Sequence, residues 1–235
     1  MPAAPDVTVV AQLPDGDVWQ RITVLYDQVA EIVADAVRHG DRPLVTSGDC
    51  ATALGTVAGM QRAGVDPAVV WFDAHGDVQT LETTASGYVG GMPLRVLAGY
   101  RPELIATPLG LGVVAEDRIV LVDARDLDPP EADYLRRSAI RVCDAENLAS
   151  GVLPDGPLYL HLDVDVFDRG DLPGLRYPVA GGPAATTVAG AIERVLQTGR
   201  VAAVGLACTW YPGHSSARVV RKHLDGACQI WERES

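Results

Sequence analysis

Asp73-Ala74-His75-Gly76-Asp77 and Asp163-Val164-Asp165 are the stretches of this chain whose residue types and spacing can do chemistry. Side chains of an extended backbone alternate with a period of two, so Asp73, His75 and Asp77 share one side, as do Asp163 and Asp165. A single strand-end aspartate is well explained as a turn starter or helix cap. Several side by side repel one another and are costly to desolvate, and a cation offsets both penalties. Oxygen-rich donors with imidazole suit Mn2+, and a divalent pair sharing carboxylates is suited to activating water for hydrolysis. Asp49-Cys50, after a third apolar run, adds a carboxylate and a thiol.

Each of these sets follows a short apolar run, at 43–47, 68–72 and 158–162, and near-continuous runs of this kind suit strands covered on both faces. Further strands are expected at 7–13, 118–122, 140–142 and 201–206. Helical spacing predicts helices over 19–39, 51–63, 92–98, 130–138 and 187–196, the first stopped by Gly40. Strands alternating with helices imply one α/β domain over 1–235, built as three αβα layers around a mostly parallel sheet. Segments 77–91 and 167–185 are long loops leaving the C-terminal ends of strands, the edge at which such sheets bind ligands. Gly110-Leu111-Gly112 neither follows a strand nor has the third glycine of a dinucleotide fingerprint.

Composition narrows the partners. The 235 residues carry 31 acidic against 19 basic side chains, a formal charge of −12, which argues against nucleic acid and anionic membranes and leaves a small molecule as the expected partner. The first residues show no basic stretch before an apolar one, and no apolar run reaches about 18 residues, so a cytoplasmic protein is expected. The cysteines Cys50, Cys143, Cys208 and Cys228 are too dispersed for a disulfide scaffold.

At its acidic motifs the chain resembles the arginase, agmatinase and formimidoylglutamase superfamily of ureohydrolases. That family's signatures are Gly-Gly-Asp-His-Ser, Asp-Ala-His-x-Asp and Ser-x-Asp-x-Asp-x-x-Asp-Pro. Here they stand as Ser47-Gly48-Asp49-Cys50-Ala51, as Asp73 to Asp77, and as His161-Leu162-Asp163-Val164-Asp165-Val166-Phe167-Asp168. The resemblance implies an arginase-like fold and one or two Mn2+ held by Asp73, His75, Asp77, Asp163 and Asp165, with Asp73 and Asp163 bridging. Asp77 would also accept a hydrogen bond from the nucleophile. Cys50 stands where the family has a further histidine ligand, and its softer sulfur admits Zn2+ or Fe2+ as alternatives. The same Cys variant is similar to ureohydrolases acting on N-hydroxyarginine in cycloserine biosynthesis. Gln79 and Ser86 fall where the family binds a substrate α-carboxylate, and Asp128 where it holds the α-amino group. Family members often form homo-oligomers.

Two departures separate the chain from a plain arginase. Gly90 replaces the family's catalytic histidine, a loss best tolerated when the leaving nitrogen carries an electron-withdrawing hydroxyl. The guanidinium-binding glutamate has only Thr209 or Trp210 as its equivalent, neither charged. His161 and His214 are the candidates to replace the lost proton shuttle, with a buried core role for His161 and a solvated one for His214 as the alternatives. Hydrolysis of a guanidino or amidino carbon–nitrogen bond on a small amino-acid-like substrate is the function expected. Other C–N or N–N chemistry on the same metal site, or a non-catalytic relic, are its rivals.

Overall fold

The computed structural model describes residues 6–207 and 210–233 of the chain. Six parallel strands, β1 (Leu44–Ser47), β2 (Ala68–His75), β3 (Ile119–Asp126), β4 (Arg141–Cys143), β5 (Leu158–Asp163) and β6 (Val201–Ala207), form one sheet in the order β1-β6-β5-β2-β3-β4. Alternation along the central strands feeds two cores. Val69, Trp71, Leu121 and Tyr159 face α1 (Val18–His39), α2 (Ala53–Arg62), α3 (Pro93–Leu97), α4 (Ala106–Leu109) and α5 (Pro129–Arg137). Val70, Phe72, Leu160 and Leu162 face α6 (Ala185–Leu196), α7 (Ser216–His223) and α8 (Asp225–Arg233). The result is the three-layer αβα fold, with every strand pair parallel. Among the described residues, antiparallel pairing is confined to an isolated bridge, Leu175 with Trp210.

The chain steps from β2 outward to β3 and β4, returns to β5 beside β2, and continues to β6 on the opposite side. The strand order therefore reverses between β2 and β5. A crevice opens at such a switch point on the C-terminal edge of the sheet, and Asp73, His75, Asp163 and Asp165 stand there.

Local signals explain the surrounding helices. Asp17 and Gln20 close a reciprocal capping box at the start of α1, and Gly40 ends it at φ 88°. Helices α1 and α2 cross closely because Gly59 has no side chain: a Cβ there would lie 2.5 Å from the Ala30 carbonyl oxygen and 2.7 Å from Val33 Cβ.

The expected strand at 7–13 is irregular chain instead. Val7, Val10 and Leu13 are exposed and only Val9 packs against the first core, so β propensity acts without a sheet face to cover. Helices α4, α7 and α8 are not signalled by helical spacing in the sequence. The first is a single turn stopped by Gly110 at φ 64°, and α7 is polar enough to bury only Ser216 and Val220. No helix among the described residues is long and apolar enough to cross a membrane.

Candidate metal centre

Three strand ends build the site. After β1, Asp49 accepts the Ala51 N–H at 2.9 Å and caps a 3-10 turn that buries Cys50. At the end of β2, Asp73 Oδ1 accepts the His75 N–H at 2.7 Å, and Asp77 turns the chain into the following loop at φ 53°, a left-handed conformation unusual for a non-glycine residue. After β5, Asp163 caps a 3-10 turn by accepting the Asp165 N–H at 2.9 Å.

A bulge in β3 fixes this last turn. The register passes from Asp73 opposite Asp123 to His75 opposite Asp126, and Asp123 and Ala124 take φ 85° and 47°. The extra residue directs Arg125 across the sheet end. Its guanidinium pairs with Asp123 and donates to the carbonyls of Asp165 at 3.2 Å, Val166 at 3.0 Å, Phe167 at 3.4 Å and Val179 at 3.1 Å. Arg125 thereby ties the Asp163–Asp165 turn to the loop at 167–185.

The candidate ligands fall into two groups: Cys50, Asp73 and Asp77, and Asp73, His75 and Asp165, the donor atoms of each lying within 4.8 Å of one another. Asp73 belongs to both, the placement of a bridging carboxylate. Asp163 joins neither group but lies against the first, its Oδ2 accepting from Cys50 Sγ at 3.0 Å. His75 Nδ1 is 3.2 Å from both Asp73 Oδ1 and Asp165 Oδ2. Trp71 Nε1 donates to Asp73 Oδ2 at 3.3 Å from below.

Electrostatics supports a cation here. Asp77 Oδ2 is buried without a hydrogen-bond partner, an arrangement that costs free energy unless something positive or protonated faces it. Burial, with Asp165 close by, pushes the Asp163 carboxyl up to about 7. Burial and Asp73 raise Asp165 to about 6. Asp77 and the Cys50 thiol are held well above their usual ranges, again by burial first and then by the surrounding carboxylates. Burial opposes charge on His75, but bonds to Asp165 and Asp73 outweigh it and raise the imidazolium to about 12. Without metal the site retains protons. A donor set of carboxylates, one imidazole and one thiol fits a hard or borderline divalent ion.

A cavity of about 280 Å³ opens above these groups. Gln79, Ser86 and Asp128 all line it. Gln79 Nε2 donates to Asp128 Oδ2 at 2.7 Å, and Gln79 Oε1 accepts from Thr83 at 2.7 Å. Sequence reasoning passed over Glu131, Tyr88 and Tyr177, which complete the wall. Glu131 is buried and accepts the N–H groups of Val78 and Asp128 at 3.3 and 3.1 Å. Its signal was present in Asp128-Pro129-Pro130-Glu131, which has capping-box spacing and forms one with Asp128.

The remaining candidates lie elsewhere. His161 is buried beneath the site, stacked on Trp71 at a 3.7 Å centroid distance and bonded through Nδ1 to the Tyr159 hydroxyl at 3.0 Å. Burial lowers its pKa to about 3, and it does not line the cavity. His214 is exposed and packs against Gly174, also away from the lining. Trp210 packs with the second core. Thr209 lies outside the described residues.

Residues 6–209 match the Arginase family. The chain belongs to the arginase family. It is 34% identical over 170 residues to the arginase of Bacillus subtilis strain 168, covering 66% of this chain and 57% of that relative. The arginase of Eremothecium gossypii is 32% identical over 200 residues, 77% of this chain and 50% of the relative. The match spans about half the length of those curated relatives. Among solved structures, an arginase from Bacillus subtilis superimposes with TM-score 0.83 at 26% identity, covering 97% of this chain and 82% of the other. Formimidoylglutamase from the same species shares the fold, at TM-score 0.70 and 20% identity over 92% of this chain and 70% of that one.

Proposed function

We propose that this arginase-family chain is a manganese-dependent hydrolase cleaving a carbon–nitrogen bond of a guanidino or amidino group on a small amino-acid-like substrate. An N-hydroxyguanidine from a biosynthetic pathway is the favoured member of that class. The observation that carries the reading is Asp73, shared by two ligand groups beside the unpaired Oδ2 of Asp77. Curated relatives named arginase support the guanidino class.

When bound, the divalent pair supplies an activated water and stabilises charge at the carbon under attack. Asp77 Oδ2, otherwise unpartnered, would be free to accept a hydrogen bond from the nucleophile and orient it. At the other end of the cavity the carboxylates of Asp128 and Glu131 suit a substrate ammonium. Gln79 Nε2 spends one of its two hydrogens on Asp128 and keeps the second for a substrate carboxylate, beside the Ser86 hydroxyl.

The end nearest β6 favours a less basic head group. Trp210 is turned into the second core, and a buried guanidinium without its carboxylate forfeits roughly 2 to 5 kcal/mol. A hydroxyl on a terminal nitrogen lowers the basicity of the guanidino group, so a site without that carboxylate forfeits less by holding it. The test is an assay of purified protein with Mn2+ against L-arginine, Nω-hydroxy-L-arginine, agmatine and formimidoylglutamate. Cleavage of none of the four overturns the reading.

A further inference from the structure

The ring of Tyr88 stands where a side chain at position 90 would have to go. A Cβ built on Gly90 would meet Tyr88 Cζ at 2.3 Å, Cε1 at 2.4 Å and the hydroxyl oxygen at 2.5 Å. Gly90 is not in the left-handed region, so its backbone conformation would accept a side chain, and the three nearest atoms that would meet one all belong to the phenol. Glycine at 90 and tyrosine at 88 therefore form a matched pair, one vacating the volume that the other fills.

That volume belongs to the cavity. Tyr88 and Gly90 line it together with Cys50, Asp73 and Asp77. Tyr177, from the loop at 167–185, forms the opposing half of an aromatic roof: its ring is 5.8 Å from that of Tyr88 at 32°, and 6.4 Å from the His75 imidazole, edge-on at 89°. The Tyr88 hydroxyl has no hydrogen-bond partner among the described residues. Burial and the nearby Asp49 keep that phenol protonated, which makes it a poor proton shuttle near neutral pH but a good hydrogen-bond donor.

We infer that Tyr88 is a specificity-determining residue that touches the substrate head group, donating its hydroxyl hydrogen to an oxygen borne by a terminal guanidino nitrogen while its ring and that of Tyr177 cover the planar amidine. This deepens the hydrolase reading above and rests on it. A plain guanidinium offers only N–H donors and can engage only the phenol lone pair, whereas an N-hydroxyguanidine engages both lone pair and hydrogen. Sites built to bond a substrate hydroxyl reject the analogue lacking it far more strongly than apolar pockets discriminate by size.

The experiment compares Tyr88→Phe, Gly90→Ala and the double variant with the wild type, all loaded with Mn2+. It reads kcat/KM for Nω-hydroxy-L-arginine and L-arginine, calorimetric binding of both compounds, and metal per chain. Tyr88→Phe removes only the hydroxyl, and Gly90→Ala displaces the ring. Each is expected to lower kcat/KM for the hydroxylated substrate by a factor about tenfold or more greater than for L-arginine, with the metal content unmoved. The double variant is expected to lose no more than either single one. An unchanged preference between the two substrates in both single variants overturns the inference while leaving the hydrolase reading intact. If the wild type turns over neither compound, the calorimetry decides: weaker binding of the hydroxylated compound by Tyr88→Phe supports the role of Tyr88, and equal or absent binding overturns it.

Discussion

Cys50 Sγ donates to Asp163 Oδ2 across 3.0 Å, joining the strand end of β1 to that of β5 over the intervening β6. A thiol this deeply buried among carboxylates keeps its proton, so cation binding at the first ligand group must displace it. Manganese uptake is accordingly expected to release protons. Calorimetry in buffers of different ionisation enthalpy measures the release, which should fall in Cys50→Ser.

Asp73 makes the two ligand groups interdependent. Asp73→Asn is expected to abolish stable binding at both, and Asp165→Asn at the group containing His75 alone. Activity should fall at least about a hundredfold in each. Metal content per chain separates the two variants, since Asp165→Asn is expected to retain the cation beside Cys50 and Asp77.

The metal-free protein should lose stability as pH rises. Asp163 and Asp165 hold their protons to about 7 and 6 in the fold, above their unfolded values, so their penalty is absent below about pH 4 and grows as pH passes through 6 to 7. His75 acts in the same direction. Its imidazolium is retained to about 12, so its contribution is complete below about pH 6.5 and lost above it. Thermal melts of metal-free protein from pH 5 to 8 should show a falling Tm, and saturating Mn2+ should raise it most at pH 8.

Arg125 ties the second ligand turn to the long loop. Arg125→Ala leaves Asp123 without its partner and four carbonyls without their donor, at an expected cost of about 3 kcal/mol. Lysine cannot reproduce the fork and should rescue little of it. Denaturant titration measures the loss, and metal content should fall along with it.

The sheet and the acidic strand ends of the candidate site were legible because both follow a period of two. Asp73 and His75 extend the alternation of Val69 and Trp71, and Asp163 that of Tyr159 and His161. That same alternation puts His161 on the face of Asp163 but deeper in the strand, where a stack with Trp71 keeps it out of the cavity. Tyr88, Tyr177 and Arg125 carry no local signal, because which side chains roof a cavity depends on how two long loops and a β-bulge fold over it. At 7–13 propensity alone misled, since a strand also needs a neighbour and a face to bury.

The closeness of α1 and α2 gives a test of the fold independent of the site. Gly59→Val pushes a side chain into the Ala30 carbonyl and Val33, an overpacking expected to cost about 2 kcal/mol. Denaturant titration should show the loss with metal content per folded chain unchanged.

The claim on which the rest depends is that these strand ends hold a pair of divalent cations. Elemental analysis of desalted protein after Mn2+ loading, performed on the wild type and on Cys50→His, tests it directly. About two Mn2+ per chain in both proteins is the predicted result; no bound metal in either contradicts the account.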